Sequence, residues 1–474
     1  MTHLHRTRTR TRTRTGAAAA LVALVVLAGG CTGADGGVRG TPGAAGLRDP
    51  YFPKLGNGGY DVAHYALTLA YDPDTGRLDG TAEITARATQ DLSAFNLDLS
   101  GLTVGGASVD GVPAAYNRAG GELTLRPREE IRKGAEFRAA VTYAGVPEPL
   151  VDADGSEEGW LRDDDGGGVV AVGEPAGSTT WFPGNHHPSD KAAYDIALTV
   201  PAGTDAFANG VGTERRTEGD GRVTTVWHTS EPMASYLATV VIGRYETGTA
   251  TALGTVPVLT AAEPEVAGES AALRAEIPGI LARQARRFGP YPFSAAGAVV
   301  TEDGTLGYAL ETQTRPVFPA SSFDRTTLVH ELAHQWFGNS VTPATWRDLW
   351  LNEGFATYAE WLYEEEYGDV PARTAFERAF REKANWAFPP AAPPAAGNLF
   401  DPPVYQRGAM VLHKLRETVG DETFDEILRG WPEERRHANA TTADFTAYAE
   451  EVAEEDLDEL WDVWLYGDEK PDTP

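Results

Sequence analysis

The sequence has a single cysteine in 474 residues, Cys31. One thiol cannot form an intramolecular disulfide, so core packing has to stabilise the fold without covalent crosslinks. Basic residues are scarce as well, since 40 Lys and Arg stand against 69 Asp and Glu and the formal net charge is -29. This balance argues against nucleic-acid binding, which requires a basic face toward the phosphates. It is typical of a solvated acidic surface.

The N-terminal apolar run is short. It extends from Ala17 to Ala28 and follows a segment in which Arg alternates with Thr. A membrane-spanning helix needs about 20 apolar residues, so the run indicates the hydrophobic part of a signal peptide over residues 1–30. Residues 31–50, rich in Gly, Ala and Thr, are then predicted to be a flexible tether.

Cys31 stands where this apolar run ends. The segment Leu27-Ala28-Gly29-Gly30-Cys31 resembles a bacterial lipoprotein lipobox, with Ala28 where such motifs usually place Leu. The resemblance implies that Cys31 carries a lipid that anchors the exported chain to the outer side of the cell membrane. The alternative is a cleaved signal peptide with an incidental cysteine and a secreted protein.

The remaining chain is long enough for two or three domains with full cores. Residues 51–250 show short period-two runs separated by turn signals, as in Tyr65, Leu67, Leu69 and Tyr71. This pattern predicts an antiparallel β saddle or sandwich. Residues 251–474 change to a mixed, helix-rich pattern, so the predicted fold class is α+β with several domains. The predicted helices beyond the central motifs are 268–288, 371–386, 404–418, 421–430 and 441–466.

The residues that can carry chemistry lie between positions 324 and 360. His330-Glu331-Leu332-Ala333-His334 places two histidines four apart, on one face of a helix, where both imidazoles can bind one metal ion. Glu331, between them, can accept a proton from water. Glu353, nineteen residues after His334, supplies a third ligand from a second helix. Three protein ligands leave a coordination position open, as a catalytic zinc requires.

The five-residue motif by itself also recurs by chance in ordinary helices. The correctly spaced Glu353, with Trp, Leu and Phe packing positions around both segments, favours one zinc ion per chain.

Two longer segments resemble the motifs of the aminopeptidase N family of zinc metallopeptidases, which also contains the leukotriene epoxide hydrolases. They are HELAHQWFGN at 330–339 and WLNEGFA at 350–356, and the resemblance covers most of residues 51–466. It implies that His330, His334 and Glu353 bind zinc, that Glu331 is the general base, and that the second domain is thermolysin-like.

A third segment, VYQRGA at 404–409, is similar to the family's Tyr-x-Lys-Gly segment. The resemblance implies that Tyr405 stabilises the oxyanion of the tetrahedral intermediate, because a phenol near the metal can donate a hydrogen bond to the oxygen on which charge develops. Without that context a lone tyrosine would indicate packing.

The family's Gly-x-Met-Glu-Asn signature is altered here to Tyr308-Ala309-Leu310-Glu311-Thr312. The retained Glu311 implies an anchor for the substrate's α-ammonium, on an edge strand that hydrogen-bonds the substrate backbone. Tyr308 in place of Gly puts the side-chain specificity in doubt. The segment 174–183, aligned on Pro183, places Glu174 as a second anchor. His186 and His187 lie in the same loop without metal-ligand spacing and are predicted to be structural or exposed to solvent.

These features predict a zinc-dependent aminopeptidase acting on peptides with a free N-terminus. The alternatives are a thermolysin-like endopeptidase, an epoxide hydrolase, and a surface lipoprotein whose metal domain only binds. The sequence does not identify a hydrogen-bond partner for the histidine ligands, because Thr357 occupies the neighbourhood where thermolysin-like enzymes place an Asp. Many relatives continue into a large helical domain that covers the cleft, so we expect a more open site in this chain.

Overall fold

The computed structural model describes residues 38–152, 155–163 and 167–474. The signal-peptide prediction for residues 1–30 and the lipidation predicted at Cys31 lie outside the described residues. Val38–Pro474 form one compact unit. In the described part of the chain, no helix combines the length and the apolar character that crossing a membrane would need.

The first part of the described chain is built from strands. They are β1 (Thr41–Pro42), β2 (Tyr60–Asp72), β3 (Arg77–Ala88), β4 (Leu92–Asp98), β5 (Thr103–Val109), β6 (Val112–Pro113), β7 (Ala115–Ala119), β8 (Glu122–Arg126), β9 (Glu136–Gly145), β10 (Leu150–Val151), β11 (Glu157–Arg162), β12 (Val169–Val172), β13 (Lys191–Val200), β14 (Asp205–Ala208), β15 (Val211–Thr217), β16 (Val223–Ala234) and β17 (Val240–Gly243). An eight-stranded sheet has the order β15-β16-β13-β2-β3-β9-β5-β6, and smaller sheets have the orders β1-β4-β8-β7 and β10-β11-β12-β17-β14. The predicted β-rich N-terminal part is therefore present.

Alternation of apolar residues explains how the large sheet packs. In β2 the side chains of Tyr65, Leu67, Leu69 and Tyr71 are buried, as the period-two pattern predicts. The register with β3 shifts between Val62 and His64. One extra residue moves the buried face from even to odd positions, which is why Tyr60 and Val62 are buried as well.

The second part is mixed. Strands β18 (Glu246–Ala252), β19 (Val256–Ala262), β20 (Ala296–Thr301) and β21 (Val317–Pro319) form a sheet in that order, and β22 (Thr342–Pro343) pairs with β23 (Asn439–Ala440). The helices are α1 (Pro264–Arg274), α2 (Ile277–Phe288), α3 (Arg325–Ala333), α4 (Trp350–Tyr367), α5 (Ala372–Arg381), α6 (Gly408–Val419), α7 (Asp421–Glu434), α8 (Thr442–Ala453) and α9 (Asp458–Leu460). Single turns of 3₁₀-helix lie at Gly177–Thr180, Ser235–Leu237, Ala320–Ser322, Trp346–Asp348, Lys383–Trp386 and Ala396–Asn398. This is the predicted helix-rich second half.

Three helix predictions were wrong in their continuity. The predicted helix 268–288 is two helices, since α1 ends at Arg274 and α2 restarts with Pro278 in its first turn, a position that proline favours. The predicted helix 441–466 breaks after α8, where Glu454 adopts a left-handed conformation, and ends in a π-helical turn at Trp461–Leu465. The predicted helix 371–386 ends at Arg381, where Glu382 adopts an extended conformation, and a 3₁₀ turn follows at Lys383–Trp386. The predicted helix 404–418 is present, and its first turn is π-helical at Pro403–Arg407 and leads directly into α6.

The two parts share one continuous hydrophobic core and are also joined by polar contacts beside the motif segments. Asn209 Nδ2, in the turn between β14 and β15, donates to the carbonyl of Gln313 at 2.8 Å. The buried Arg315 donates to the carbonyls of Ala208 and Gly210, the latter at 3.1 Å. The loop that follows Glu311 is therefore fixed to the β-rich part.

A second connection lies at the end of the motif helix. Lys191 Nζ, at the start of β13, donates to the carbonyls of Asn339 and Ser340 at 3.0 and 2.9 Å. These carbonyls are in the turn that follows His334. The β-rich part thus holds both the motif helix and the Glu311 segment in place.

Candidate active site

Helix α3 presents the two motif histidines. It begins at the N-cap residue Asp324, whose carboxylate accepts a hydrogen bond from the backbone N–H of Thr327 at 2.9 Å, which is a common way to start a helix. His330 lies in the last turn and His334 is the C-cap residue. Their ring centroids are 4.7 Å apart. The spacing of four residues therefore brings both imidazoles to one place, as predicted.

Glu353 faces both imidazoles from the first turn of α4. Its Oε2 atom lies 3.2 Å from His330 Nε2 and 3.4 Å from His334 Nε2. Two ligands that are each about 2.1 Å from a tetrahedral ion lie about 3.4 Å apart. These three side chains consequently have the spacing of a zinc ligand set.

The far nitrogen of each imidazole is already engaged. His330 Nδ1 lies 2.6 Å from the Glu360 carboxylate, and His334 Nδ1 lies 3.0 Å from the carbonyl oxygen of Phe337. A carbonyl or carboxylate at Nδ1 keeps the proton on that nitrogen and leaves the Nε2 lone pair available for a metal. Both histidines are therefore in the form that a metal site requires, and the donor set of two nitrogens and one carboxylate suits zinc.

Glu360 is the functional residue that sequence reasoning missed. It lies seven residues after Glu353, two turns further along α4 and on the same face. Thr357, four residues after Glu353, is buried but does not contact a ligand histidine among the described contacts. The signal that could have identified Glu360 is its spacing of seven residues, or two helical turns, from the ligand Glu353.

Electrostatics in the site are dominated by acidic groups. Burial would raise the pKa of Glu353, but the two neighbouring imidazoles lower it to about 2. Burial raises the pKa of Glu331 to about 8, an effect that the imidazoles oppose and that Glu311 and Glu353 reinforce. The Oε2 atom of Glu331 is buried and makes no hydrogen bond within the described residues. A carboxylate held in this way is suited to accept a proton.

Tyr405 approaches the site from the π-helical turn at Pro403–Arg407, and such turns are common at functional sites. Its ring lies nearly parallel to that of His330, with centroids 6.2 Å apart. Burial raises the pKa of Tyr405, and nearby carboxylates led by Glu353 raise it further. The phenol therefore keeps its proton and remains a hydrogen-bond donor.

Two glycines allow the Tyr405 turn to come this close to α4. A Cβ atom added to Gly408 would lie 2.9 Å from the Cα of Gly354, and one added to Gly354 would lie 2.9 Å from the carbonyl carbon of Gly408. Side chains cannot be accommodated at either position without moving a backbone. The glycines that follow Glu353 and Tyr405 in their motifs therefore set the distance between these two elements.

Arg407 anchors the same turn from the opposite side. Its guanidinium is fully buried and donates to the carbonyls of Phe388, Val463 and Trp464, at 3.3, 3.3 and 3.0 Å. A planar group with five N–H donors can satisfy several carbonyls at once, which a lysine cannot match. The arginine that replaces the family's lysine in this motif thus ties Tyr405 to the C-terminal helices.

Glu311 and Glu174 arrive from the two parts of the chain. The carbonyl of Glu311 accepts hydrogen bonds from Asn339 Nδ2 at 2.7 Å and Gln335 Nε2 at 3.3 Å. These two donors follow the motif histidines in sequence, so the motif helix also fixes the Glu311 backbone. The Leu310 N–H and carbonyl pair with Val317 at 2.9 Å each, which holds the segment at the edge of the sheet.

The carboxylates of these two residues are buried and close together. Glu174, Glu311 and Glu353 each place a carboxylate oxygen within 4.8 Å of the others. One oxygen of Glu174 and one of Glu311 make no hydrogen bond within the described part of the chain. Burial raises the pKa of Glu174, and Glu311 and Glu353 raise it further. A cation bound between these buried carboxylates would neutralise their negative charge.

The seven residues that the sequence predicts for the active site all line one cavity of about 620 Å³. Its remaining wall comes from Asp152 and Ser156, from the 307–310 segment, from Ser322, Thr326 and Thr327, and from Glu360 and Phe400. The predicted structural role of His186 and His187 agrees with their burial. The alternative of solvent exposure for these two histidines was wrong. His186 packs against the ring of Phe182, and His187 lies against the carboxylate of Asp49.

Comparison with known proteins identifies relatives for both parts of the chain. The family model for the peptidase M1 N-terminal domain matches residues 62–237, and the peptidase family M1 domain matches residues 320–464. Aminopeptidase M1-A of Oryza sativa subsp. japonica is 31% identical over 327 residues, which are 62% of this chain and 36% of that protein. Human glutamyl aminopeptidase is 26% identical over 62% of this chain and 34% of its own length. The chain thus spans about a third of these curated relatives.

Solved structures match over a larger share. The M1 zinc metallopeptidase of Deinococcus radiodurans is 30% identical with a TM-score of 0.85, covering 90% of this chain and 98% of that one. A variant of it bound to a Tyr-Ser-Ala substrate matches with a TM-score of 0.84 over 99% of its chain. Because both family models match in tandem and a solved member aligns over nearly its whole length, the present chain belongs to peptidase family M1.

Proposed function

We propose that the protein is a zinc-dependent aminopeptidase that removes N-terminal residues from peptides, with one zinc ion per chain. The observation that carries the proposal is the convergence of Glu174 and Glu311 on the Glu353 side of the cavity, within 4.8 Å. Two buried carboxylates, each with one oxygen that has no hydrogen-bond partner among the described residues, form a seat for an ammonium group. A substrate amine held there brings the first peptide bond to the histidine cluster, which favours an exopeptidase over an endopeptidase.

His330 Nε2, His334 Nε2 and Glu353 would hold the zinc ion. Bound there, zinc would supply Lewis-acid chemistry that polarises the scissile carbonyl and acidifies water. Glu331 lies between the two histidines and accepts the proton of the attacking water. It then delivers that proton to the leaving amine, so its carboxylate is regenerated at the end of each cycle.

Tyr405 and the acidic seat complete the mechanism. The Tyr405 hydroxyl donates a hydrogen bond to the oxyanion that develops on the scissile carbonyl, which lowers the free energy of the transition state more than that of the bound substrate. Glu174 and Glu311 hold the α-ammonium by charge-assisted hydrogen bonds. The sheet-edge position of the Glu311 segment suits it to align the substrate backbone.

The proposal is tested with leucine 4-nitroanilide and its N-acetylated form, each assayed with and without a chelator. We expect cleavage of the free amine only, loss of activity with the chelator, and recovery on addition of zinc. Equal cleavage of the acetylated amide would refute the exopeptidase assignment.

Two variants separate metal binding from proton transfer. Glu331→Gln is expected to retain zinc by metal analysis and to lose at least about a thousandfold in kcat, because the general base is removed. His334→Ala, the matched control, is expected to lose both zinc and activity. Activity that persists in Glu331→Gln would contradict the mechanism.

The localisation is a separate proposal from the sequence. We propose that the chain is exported and anchored by a lipid on Cys31, with the alternative that it is secreted after signal-peptide cleavage. Metabolic labelling with a palmitate analogue and membrane fractionation of the full chain and of Cys31→Ser test this. Equal membrane association of both forms would contradict the anchor.

A further inference from the structure

We propose that Asp152 determines side-chain specificity, making the enzyme prefer a positively charged N-terminal residue and reject an acidic one. This inference rests on the proposed aminopeptidase function and adds the substrate class to it. Asp152 is an acidic residue in the cavity wall to which neither proton transfer, metal binding nor ammonium binding assigns a role.

The charges of the cavity wall support this substrate class. Among the described residues that line the cavity there are six carboxylates and no lysine or arginine. Five of the six have the roles given above, because Glu331 is the base, Glu353 a ligand, Glu360 a ligand's partner, and Glu174 and Glu311 the ammonium seat. An acidic substrate side chain would meet no countercharge there, whereas a cationic one would meet Asp152.

Contacts within the β-rich part bring Asp152 to the ammonium end of the cavity. Asp152 follows β10 and is joined to Ser156 by a hydrogen bond from its N–H to the Ser156 carbonyl, at 2.8 Å. The Asp152 side chain lies beside Glu158. Burial raises the pKa of Glu158 to about 8, and the charge of Asp152 and a side-chain hydrogen bond between the two carboxyl groups also raise it. Glu158 in turn accepts hydrogen bonds from the N–H groups of Ala176 and Gly177 at 2.9 and 2.7 Å. Asp152 is therefore connected through one residue to the loop that carries Glu174.

Tyr308 supplies the other side of this subsite. Its hydroxyl donates to the carbonyl of Glu157 at 3.2 Å, which joins the Glu311 segment to the strand that follows Asp152. Tyr308 and Leu310 line the cavity beside Glu311. An aromatic ring and an aliphatic side chain can pack on the methylene groups of arginine or lysine while a carboxylate receives the charged end. The tyrosine that replaces the family's glycine thus forms part of the specificity pocket.

The test compares the 4-nitroanilides of arginine and citrulline, which have nearly the same shape and differ in charge. In the unaltered enzyme we expect kcat/KM to be about tenfold higher for arginine, as a partly shielded charge-assisted contact provides. In Asp152→Asn we expect this ratio to fall to about one, with leucine 4-nitroanilide cleaved within about twofold of the unaltered rate. The kcat/KM for glutamate 4-nitroanilide should rise in Asp152→Asn, because a negative charge facing the acidic side chain is removed.

Two further variants make the result specific. Asp152→Glu retains the charge and is expected to retain the preference for arginine. Asp74→Asn removes one negative charge from an exposed turn far along the chain and is expected to leave the ratio unchanged. An unchanged arginine-to-citrulline ratio in Asp152→Asn, or loss of the ratio in both Asp152 variants, would overturn the proposal. Failure to cleave leucine 4-nitroanilide at all would instead refute the aminopeptidase function.

Discussion

The two ends of the cavity differ in how their polar atoms are satisfied. At the metal end, both histidine Nδ1 atoms have acceptors at 2.6 and 3.0 Å, and Glu353 lies within 3.4 Å of both Nε2 atoms. At the ammonium end, Glu174 and Glu311 each keep a buried oxygen without a partner among the described residues. At the metal end, the protein's own hydrogen bonds orient the side chains. At the ammonium end, the two carboxylates are placed to receive the positive charge of a substrate.

A difference in sequence accompanies this difference in structure, because the metal-binding motifs of this chain keep the family forms whereas the signature around Glu311 is altered. A metal ligand set needs a fixed geometry, so its motif and the residues around it are tightly constrained. The ammonium seat needs two carboxylates and an edge of backbone, while the adjoining wall can vary with the substrate side chain. The altered Tyr308-Ala309-Leu310-Glu311-Thr312 segment keeps the carboxylate and changes the wall.

After the loss of the general base in Glu331→Gln, the largest expected effect is at the reacting carbonyl, between the two ends. Tyr405→Phe removes one hydroxyl and keeps the ring beside His330, so we expect kcat to fall about a hundredfold to a thousandfold because one oxyanion donor is lost. Zinc content and KM should change little. Steady-state kinetics with metal analysis measure this, and a change confined to KM would show that Tyr405 only binds substrate.

The ammonium end should respond next. Glu311→Gln keeps the shape and removes the charge, so we expect kcat/KM for free-amine substrates to fall about 10- to 100-fold, as for the loss of a charge-assisted contact. The N-acetylated substrate, which the unaltered enzyme is expected not to cleave, should stay uncleaved, and zinc content should be unchanged. A variant that lost its zinc would contradict the separation of the two ends.

The reciprocal change is at the metal end. Glu360→Gln weakens the hydrogen bond that orients His330, and we expect zinc affinity to fall about tenfold or somewhat more. At saturating zinc the preference for free over acetylated amines should be retained. Competition with a chromogenic chelator measures the affinity, and an unaltered affinity would show that Glu360 does not orient the ligand.

The smallest effect lies outside the cavity and concerns stability. Burial lowers the pKa of His186 to about 4, below the value of about 6.5 in an unfolded chain. Between these values the unfolded state binds the extra proton, so His186 lowers stability as pH falls from 6.5 to 4. We expect His186→Gln to abolish up to about 3 kcal/mol of this pH-dependent decrease in the free energy of unfolding. Urea unfolding at pH 7 and pH 5 checks it, and parallel curves for both proteins would contradict the assignment.

Much of the site could be predicted because its signals are local. The spacing of His330 and His334 is a property of one helix, and Asp324 caps that helix through a residue three positions away. The strand around Tyr65 could be predicted for the same reason, because side chains alternate between the two faces of a strand whatever its partners are. The continuity of the longer helices was predicted less well. Pro278 is a local signal for the restart of α2, whereas the left-handed conformation of Glu454 after α8 has no glycine to announce it.

The sequence by itself determined which side chains could bind a metal ion, accept a proton from water and stabilise an oxyanion. Those roles follow from residue type and short spacing. Only the tertiary structure decided that Glu360 orients His330, that Gly354 and Gly408 set the approach of Tyr405, and that Asp152 lines the same cavity as Glu174. These relations join elements distant in sequence, and their distances are fixed by how helices and sheets pack, which no local pattern records.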